Sequence, residues 1–176
     1  MWERLPSREK VMKGSRHLRK GRHSQKGAFY FVTTSCYEQQ RIFSSKDNCA
    51  VVFESLDWLT WNECIDLYFC IIMPDHVHLV FQLTGDRTLS NVMKSMKQFT
   101  SYRIRERTGL KARVWQEQYY DHCVRNEKSL REIIQYCWLN PVRKGLVEDP
   151  QNYPFWKSKH ELIWESELGS SSHKEV

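Results

Sequence analysis

The stretch "IIMPDHVHLVF", residues 71–81, decides how the rest of the chain is interpreted. An apolar run ends at a Pro-Asp turn signal, and a second apolar run begins with two histidines separated by one valine. This pattern predicts a β-hairpin with a buried strand over 65–73 and a returning strand over 76–83. Side chains two positions apart on a strand point to the same face, so His76 and His78 are expected to aim together.

Two imidazoles that converge in this way form half of a divalent-metal site. The pair follows a turn and therefore lies at an end of its strand, where sites are usually built. The alternative is that His76 and His78 are surface residues on a half-exposed strand. A complete site requires a third ligand and a reacting group from elsewhere in the chain.

Outside the hairpin, the chain alternates between strand and helix patterns. The predicted elements are, in order, a strand over 28–36, a helix over 44–64, the hairpin, a helix over 88–107, a partly extended segment over 113–126 and a helix over 127–140. This order predicts an α+β, ferredoxin-like fold, with an antiparallel sheet and helices packed on one face.

The last predicted helix carries the candidates that could complete the site. Ser129 or Asn126 caps its start, and Pro141 ends or kinks it. Tyr136 and Asn140 share one edge of its apolar stripe because they are four residues apart. That stripe consists of Leu130, Ile133, Ile134 and Cys137. The alternative is a boundary tyrosine with its hydroxyl in water and an asparagine that merely precedes a proline.

Charge is unevenly distributed along the 176 residues. The net charge is +6, but residues 1–26 carry +7 and the remainder −1. We therefore predict a basic, flexible arm over 1–26, a domain over 27–160 and a polar tail over 161–176. A basic arm on a nearly neutral body favours a polyanionic partner, nucleic acid first, although it is also typical of a solubilising leader. The candidate DNA-binding residues of the arm are Arg16, Arg19, Lys20 and Arg22.

Composition restricts the remaining possibilities. Hydrophobic residues make up 40% of the chain, and no apolar run approaches the roughly 18 residues that a membrane helix needs. The N-terminus "MWERLPSREK" lacks the apolar core of a secretory signal, so we expect a cytoplasmic protein without a membrane partner. None of the six cysteines form a C-x-x-C pair, and we expect reduced thiols that act as small apolar residues.

Four segments together resemble a known family. "MPDHVHLVF", "WQEQYYDHCVRNEKSL", "YCWLNPVRKGLVEDP" and "YPFWKSK" resemble, in that order and at those separations, the REP-associated tyrosine transposases. These belong to the single-tyrosine HUH transposases, named for a His-hydrophobic-His motif. The resemblance runs from Phe29 to His160. The segment "YPFWKSK" departs from the more usual Trp-Ser-Ser ending, which leaves the role of the tail open.

The resemblance implies a ferredoxin-like HUH fold and an enzyme that cuts and rejoins single-stranded DNA beside a hairpin. It implies a 5′-phosphotyrosine intermediate on Tyr136, with a metal bound by His76, His78 and Asn140. Mg²⁺ or Mn²⁺ suits these ligands. The expected partner is single-stranded DNA with hairpin structure, and a monomer and a homodimer both remain open.

Other residues near these motifs have less certain roles. Asp75 is predicted to be a turn residue that points away from His76 on strand parity. Tyr119 and Tyr120 are rival nucleophiles that we expect to pack or stack instead. His122 is either a group that supports the site or a structural hydrogen-bonding residue.

A second candidate DNA-binding surface runs from 88 to 115. Phosphate contacts from its basic residues would supply salt-dependent affinity, although a solvated basic face is the competing interpretation. Its aromatic residues could stack on unpaired bases. The basic candidates are Lys94, Lys97, Arg103, Lys111 and Arg113, and the aromatic ones are Phe99, Tyr102, Trp115 and Tyr119.

Two other functions compete with a transposase. One is a domesticated hairpin-binding protein with little catalytic turnover. The other is an unrelated His-based phosphoesterase, which would not need Tyr136.

Overall fold

The computed structural model describes residues 24–159. Within this range a five-stranded, fully antiparallel sheet has the strand order β4-β1-β3-β2-β5. The strands are β1 (Phe29–Ser35), β2 (Ile65–Met73), β3 (His76–Leu83), β4 (Tyr120–Val124) and β5 (Trp156–Ser158). The helices are α1 (Lys46–Trp61), α2 (Leu89–Thr108), α3 (Glu127–Trp138) and the short α4 (Asn140–Arg143). Short 3₁₀ turns occupy Tyr37–Gln39, Ile42–Ser44 and Pro150–Asn152.

The hairpin lies at the centre of the sheet. β2 and β3 pair from Met73 opposite His76 to Ile65 opposite Leu83. On its other side, β3 pairs with β1 along its length. The two histidines therefore lie on the central strand of the sheet.

The sheet buries both of its faces. One apolar cluster fills the space under α1 and α2 and includes Val77 and Leu79 of β3. A second cluster lies on the opposite face, where Ile133 and Cys137 of α3 pack with Phe31. The α+β class and the antiparallel sheet are confirmed. The predicted one-sided packing holds for α1 and α2 only, because the central strands are apolar on both faces and α3 covers the second.

Polar caps set the limits of the helices. The Asn126 side chain accepts the Ser129 N–H at 2.8 Å, so Asn126 rather than Ser129 begins α3. Thr88 caps α2 in the same way, and α2 ends at Gly109, whose φ of 68° is readily adopted by glycine. Pro141 cannot continue the hydrogen bonding of α3, and it lies in the first turn of α4.

The C-terminal part of the described chain adds a strand that the sequence did not reveal. β5 pairs with β2 from Ile71 opposite Trp156 to Phe69 opposite Ser158. The hydroxyl of Tyr153 donates to the Ile72 carbonyl at 2.6 Å and fixes the approach to this strand. Only three residues long, β5 is too short for a periodic pattern to identify it.

All six cysteines are free thiols, and five of them are buried as small apolar residues, as expected. Cys123 on β4 is the exposed exception. Desolvation raises the pKa of the Cys70 and Cys137 thiols, which keeps both of them neutral.

The ends of the chain fall mostly outside the described residues. The predicted DNA-binding residues Arg16, Arg19, Lys20 and Arg22, and the whole predicted tail, lie there. Of the predicted arm, only the last three residues are described, and Ser24 already accepts a hydrogen bond from the Leu89 N–H at 2.9 Å. No helix within 24–159 has both the length and the apolar character that crossing a membrane requires.

Candidate active site

The two histidines of β3 converge on the face covered by α3. Their Nε2 atoms lie 3.1 Å apart, and the residues are 4% and 5% exposed. The alternative of two surface histidines on a half-exposed strand is therefore wrong. Buried polar groups need partners, so the placement of both rings must be supported by surrounding groups.

The outer nitrogen of each ring has a partner. Nδ1 of His76 lies 2.6 Å from a carboxylate oxygen of Asp75, and Nδ1 of His78 lies 2.8 Å from the hydroxyl of Thr33. The prediction that Asp75 points away from His76 was wrong, because Asp75 lies in the turn, where strand alternation does not apply. Thr33 was missed, although it stands opposite His78 in the β1–β3 register. These contacts turn both Nε2 atoms toward each other.

The other two predicted site residues come from two consecutive helices, Tyr136 from α3 and Asn140 from the first position of α4, because α3 ends at Trp138 and not at residue 140 as predicted. Asn140 is 4% exposed, and its side-chain nitrogen lies 2.6 Å from Nε2 of His78. The half-buried Tyr136 ring has its centroid 6.2 Å from that of the His78 imidazole, in an edge-on arrangement. The structure thus brings His76, His78, Tyr136 and Asn140 together, as the stripe on α3 predicted.

A fifth residue joins this group. The Arg143 guanidinium lies over the Tyr136 ring, 4.0 Å from its centroid, and also donates a hydrogen bond to the Tyr136 carbonyl. Sequence reasoning did not assign Arg143 a role. Its spacing of seven residues from Tyr136, two helical turns, was the available signal.

The spacing of the histidine nitrogens suits a bound cation. Two ligand atoms that bind a metal at about 2.1 Å and at a right angle lie about 3.0 Å apart. The observed Nε2 separation is 3.1 Å. Among residues 24–159 no three His, Cys, Asp or Glu side chains form a metal cluster. The predicted third ligand is Asn140, whose side-chain nitrogen faces Nε2 of His78 and whose amide also carries an oxygen of the type that hard cations prefer.

The rival tyrosines pack, as expected. The Tyr120 ring meets Phe31 edge-on at 6.0 Å, and the Tyr119 ring lies 5.4 Å from the ammonium of Lys97. Tyr120 stands opposite Thr33, which in turn stands opposite His78, so this rival remains near the site. His122 is exposed on β4.

An open groove of about 500 Å³ runs between α2 and the segment 113–117. Its walls combine basic and aromatic side chains from both segments: Lys97, Tyr102, Arg105, Arg113 and Trp115. The 113–117 wall reaches toward the active-site end of the sheet, because the Gln116 N–H donates to the Ser35 carbonyl at 2.9 Å and Ser35 pairs with His76.

Two residues predicted to contact DNA have internal partners. The Lys97 ammonium donates to the carbonyls of residues 116, 117 and 118 at 2.8–3.3 Å, which ties α2 to the groove wall. Trp115 is 5% exposed, and its indole N–H donates to the Thr100 hydroxyl at 2.8 Å. The prediction that Trp115 stacks on bases was wrong, because its ring belongs to the core.

The other candidates of this surface stay accessible. Tyr102 is 64% exposed, and Phe99 and Tyr119 are partly buried. The exposed basic candidates are Lys94, Arg103, Lys111 and Arg113. Their contact with DNA stays a prediction.

Known proteins share this arrangement of elements. The family described as "Transposase IS200 like" matches residues 25–138. A REP-associated tyrosine transposase from Escherichia coli K12 is 33% identical over 87 residues, which cover 48% of this chain and 49% of that protein. A relative from Haemophilus influenzae is 28% identical over 97 residues, which cover 48% of this chain and 53% of its own. The chain thus matches about half the length of these curated relatives.

Similarity of structure extends further along the chain. A solved REP-associated tyrosine transposase, bound to a REP hairpin, superposes with a TM-score of 0.65 at 20% identity. The superposition covers 87% of this chain and 86% of the other. It establishes the shared fold.

Proposed function

This chain belongs to the IS200-like transposase family, and from that premise we propose that it cleaves and rejoins single-stranded DNA beside a hairpin. The observation that supports this proposal most directly is the position of the Tyr136 ring next to the buried His78 imidazole, which itself contacts the His76 imidazole. Tyr136 from α3 and the His76–His78 pair from β3 converge, although they are far apart in sequence. A related transposase has been solved with a REP hairpin bound, which favours a hairpin as the DNA partner.

Tyr136 is proposed to act as the nucleophile. Its phenol oxygen forms a bond to phosphorus while the bond from phosphorus to the DNA 3′ oxygen breaks, and the DNA 5′ end remains attached to the tyrosine. The phenol loses one proton and the departing 3′ oxygen gains one. A second DNA 3′-hydroxyl can attack this phosphotyrosine and release the phenol, which joins two strands without an external energy source.

His76, His78 and Asn140 are proposed to hold a divalent cation, Mg²⁺ or Mn²⁺, which would withdraw charge from the phosphate oxygens during this step. Asp75 and Thr33 keep the ring nitrogens oriented before DNA binds. All three proposed ligand side chains are neutral when they bind a metal. A cation held by neutral groups retains its full positive charge for the DNA phosphate.

DNA is proposed to follow the basic side of α2. The exposed Tyr102 ring offers a stacking surface for an unpaired base, and Arg105 and Arg113 line the same groove. The groove wall is hydrogen-bonded to the strand that pairs with His76. A single strand that leaves the groove at this wall would be led toward the end of the sheet that carries the histidines.

The test is to incubate the protein with a labelled hairpin oligonucleotide, flanked by single-stranded DNA, and Mn²⁺. We expect a protein–DNA adduct that survives denaturation, with the DNA 5′ phosphate on Tyr136 by mass spectrometry. Hairpin binding without any adduct would favour the domesticated binding protein. Cleavage that persists in Tyr136→Phe would favour the His-based phosphoesterase.

A further inference from the structure

We infer that Arg143 is a positioning residue for the Tyr136 phenol, an inference that rests on the proposed function and concerns the same site. The two residues lie on separate helices, Tyr136 in the last turns of α3 and Arg143 at the end of α4. Between them, Leu139 belongs to neither helix. The contact between Arg143 and Tyr136 therefore bridges a break in the helical backbone.

The arginine holds Tyr136 at two points. Its guanidinium lies 4.0 Å from the ring centroid, well inside the distance of about 6 Å within which a cation is attracted to an aromatic face. It also donates to the Tyr136 carbonyl. A planar guanidinium can stack and donate at the same time, which a lysine ammonium cannot do as well.

A capping role alone does not account for this arrangement. Basic residues near the end of a helix commonly bond its last carbonyls, and the bond to the Tyr136 carbonyl is of that kind. A cap does not require the guanidinium to cover the tyrosine ring. The ring is only half-buried, it lies at 69° to the His78 ring with 6.2 Å between the centroids, and the Arg143 guanidinium covers one of its faces. The contact with the ring is therefore additional to the helix cap.

Restricting the ring matters because attack on phosphorus requires the phenol oxygen in one place. Catalytic groups lose up to about a hundredfold in rate when they are displaced by about 1 Å. Arg143 is expected to hold the orientation of the ring before DNA binds. Its loss should therefore reduce the rate of the chemical step rather than the affinity for the hairpin.

The experiment compares Arg143→Gln and Arg143→Lys with the matched control Lys144→Gln, which removes a neighbouring exposed cation. Adduct formation is measured under single-turnover conditions at saturating hairpin, and hairpin affinity is measured separately. We expect Arg143→Gln to lower the rate by about tenfold to a hundredfold, with affinity changed less than about threefold. Arg143→Lys should recover part of the rate, and Lys144→Gln should match the original protein.

A second measurement does not depend on cleavage. Tyrosine rings are labelled with ¹³C, and the Tyr136 signal is identified by its loss in Tyr136→Phe. In the absence of DNA, Arg143→Gln should shift the Tyr136 signal, while Lys144→Gln should leave it in place. An unmoved signal in Arg143→Gln, an unchanged single-turnover rate, or a loss confined to affinity would each overturn the inference. Absence of an adduct in the original protein would instead count against the proposed function, and the ring signal would still test Arg143.

Discussion

The carboxylate of Asp75 lies 2.6 Å from Nδ1 of His76, and this contact directs the opposite ring nitrogen toward His78. A carboxylate behind a metal-binding histidine fixes its orientation and raises its basicity. The turn that joins the two central strands therefore contributes to the site as well as to the fold.

Asp75→Ala is expected to weaken Mn²⁺ binding by about tenfold to a hundredfold, because the His76 ring loses the group that orients it. Asp75→Asn should have a smaller effect, since an amide oxygen still accepts a hydrogen bond. Calorimetric titration of Mn²⁺ into the protein without DNA measures this directly. Asp86→Asn is the control, because its exposed carboxylate pairs with Lys26 at 3.1 Å. Equal affinity for Asp75→Ala and the original protein would refute the role given to Asp75.

Replacing both His76 and His78 with alanine should abolish adduct formation while hairpin affinity stays within about threefold. The groove proposed to bind DNA lies along α2 and the segment 113–117, not on β3, so it does not include the imidazoles. The double variant also leaves a gap beside Phe31, whose ring stacks on His78 at 5.7 Å. Circular dichroism is therefore needed to establish that the double variant is folded before its loss of adduct formation is interpreted. His122→Ala, on an exposed position of β4, is the matched control.

Tyr136→Phe should eliminate adduct formation, because the variant loses only the oxygen proposed to attack phosphorus. Tyr120→Phe is the matched comparison, because Tyr120 is the rival tyrosine that pairs with Thr33, which in turn pairs with His78. It should keep at least about a third of the original rate. The readout is the yield of covalent protein–DNA product on a denaturing gel. An adduct lost in Tyr120→Phe but kept in Tyr136→Phe would show that Tyr120, and not Tyr136, is the nucleophile.

Trp115 and Tyr102 should separate stability from DNA binding. Trp115→Phe removes the indole bond to Thr100 and should lower the free energy of unfolding by about 1–2 kcal/mol, with little change in DNA affinity. Tyr102→Ala removes an exposed ring and should leave stability unchanged, while it weakens binding of single-stranded DNA by about 1–3 kcal/mol. Denaturant unfolding and fluorescence anisotropy measure the two quantities. Destabilisation of Tyr102→Ala without loss of binding would show that this ring is structural.

The hairpin and the position of Tyr136 could be predicted from local sequence patterns. The predicted hairpin bounds 65–73 and 76–83 match β2 and β3. They could be predicted because the turn residues and the alternation of side chains along each strand depend only on residues close in sequence. The meeting of Tyr136 with His78 followed from one apolar stripe on α3. Periodicity places such residues on a face without any knowledge of distant contacts.

What the sequence left undetermined depends on contacts between distant or irregular segments. Thr33 supports His78 only because of the β1–β3 register. Trp115 follows an irregular segment, so no periodicity indicated that its ring packs on Phe43 in the core, 5.0 Å away. The Asp75 carboxylate reaches His76 from a turn, where alternation gives no direction. Such placements are set by tertiary packing, which overrides local preference.

The central position of β3 has a consequence for heat inactivation. This strand is hydrogen-bonded along both edges, whereas α3 is attached to the sheet chiefly by side-chain packing. Backbone amides of β3 should therefore exchange with deuterated water later than those of α3. On warming, Tyr136 would lose its alignment while His76 and His78 keep their positions, so the proposed cleavage would fail below the melting temperature of the sheet.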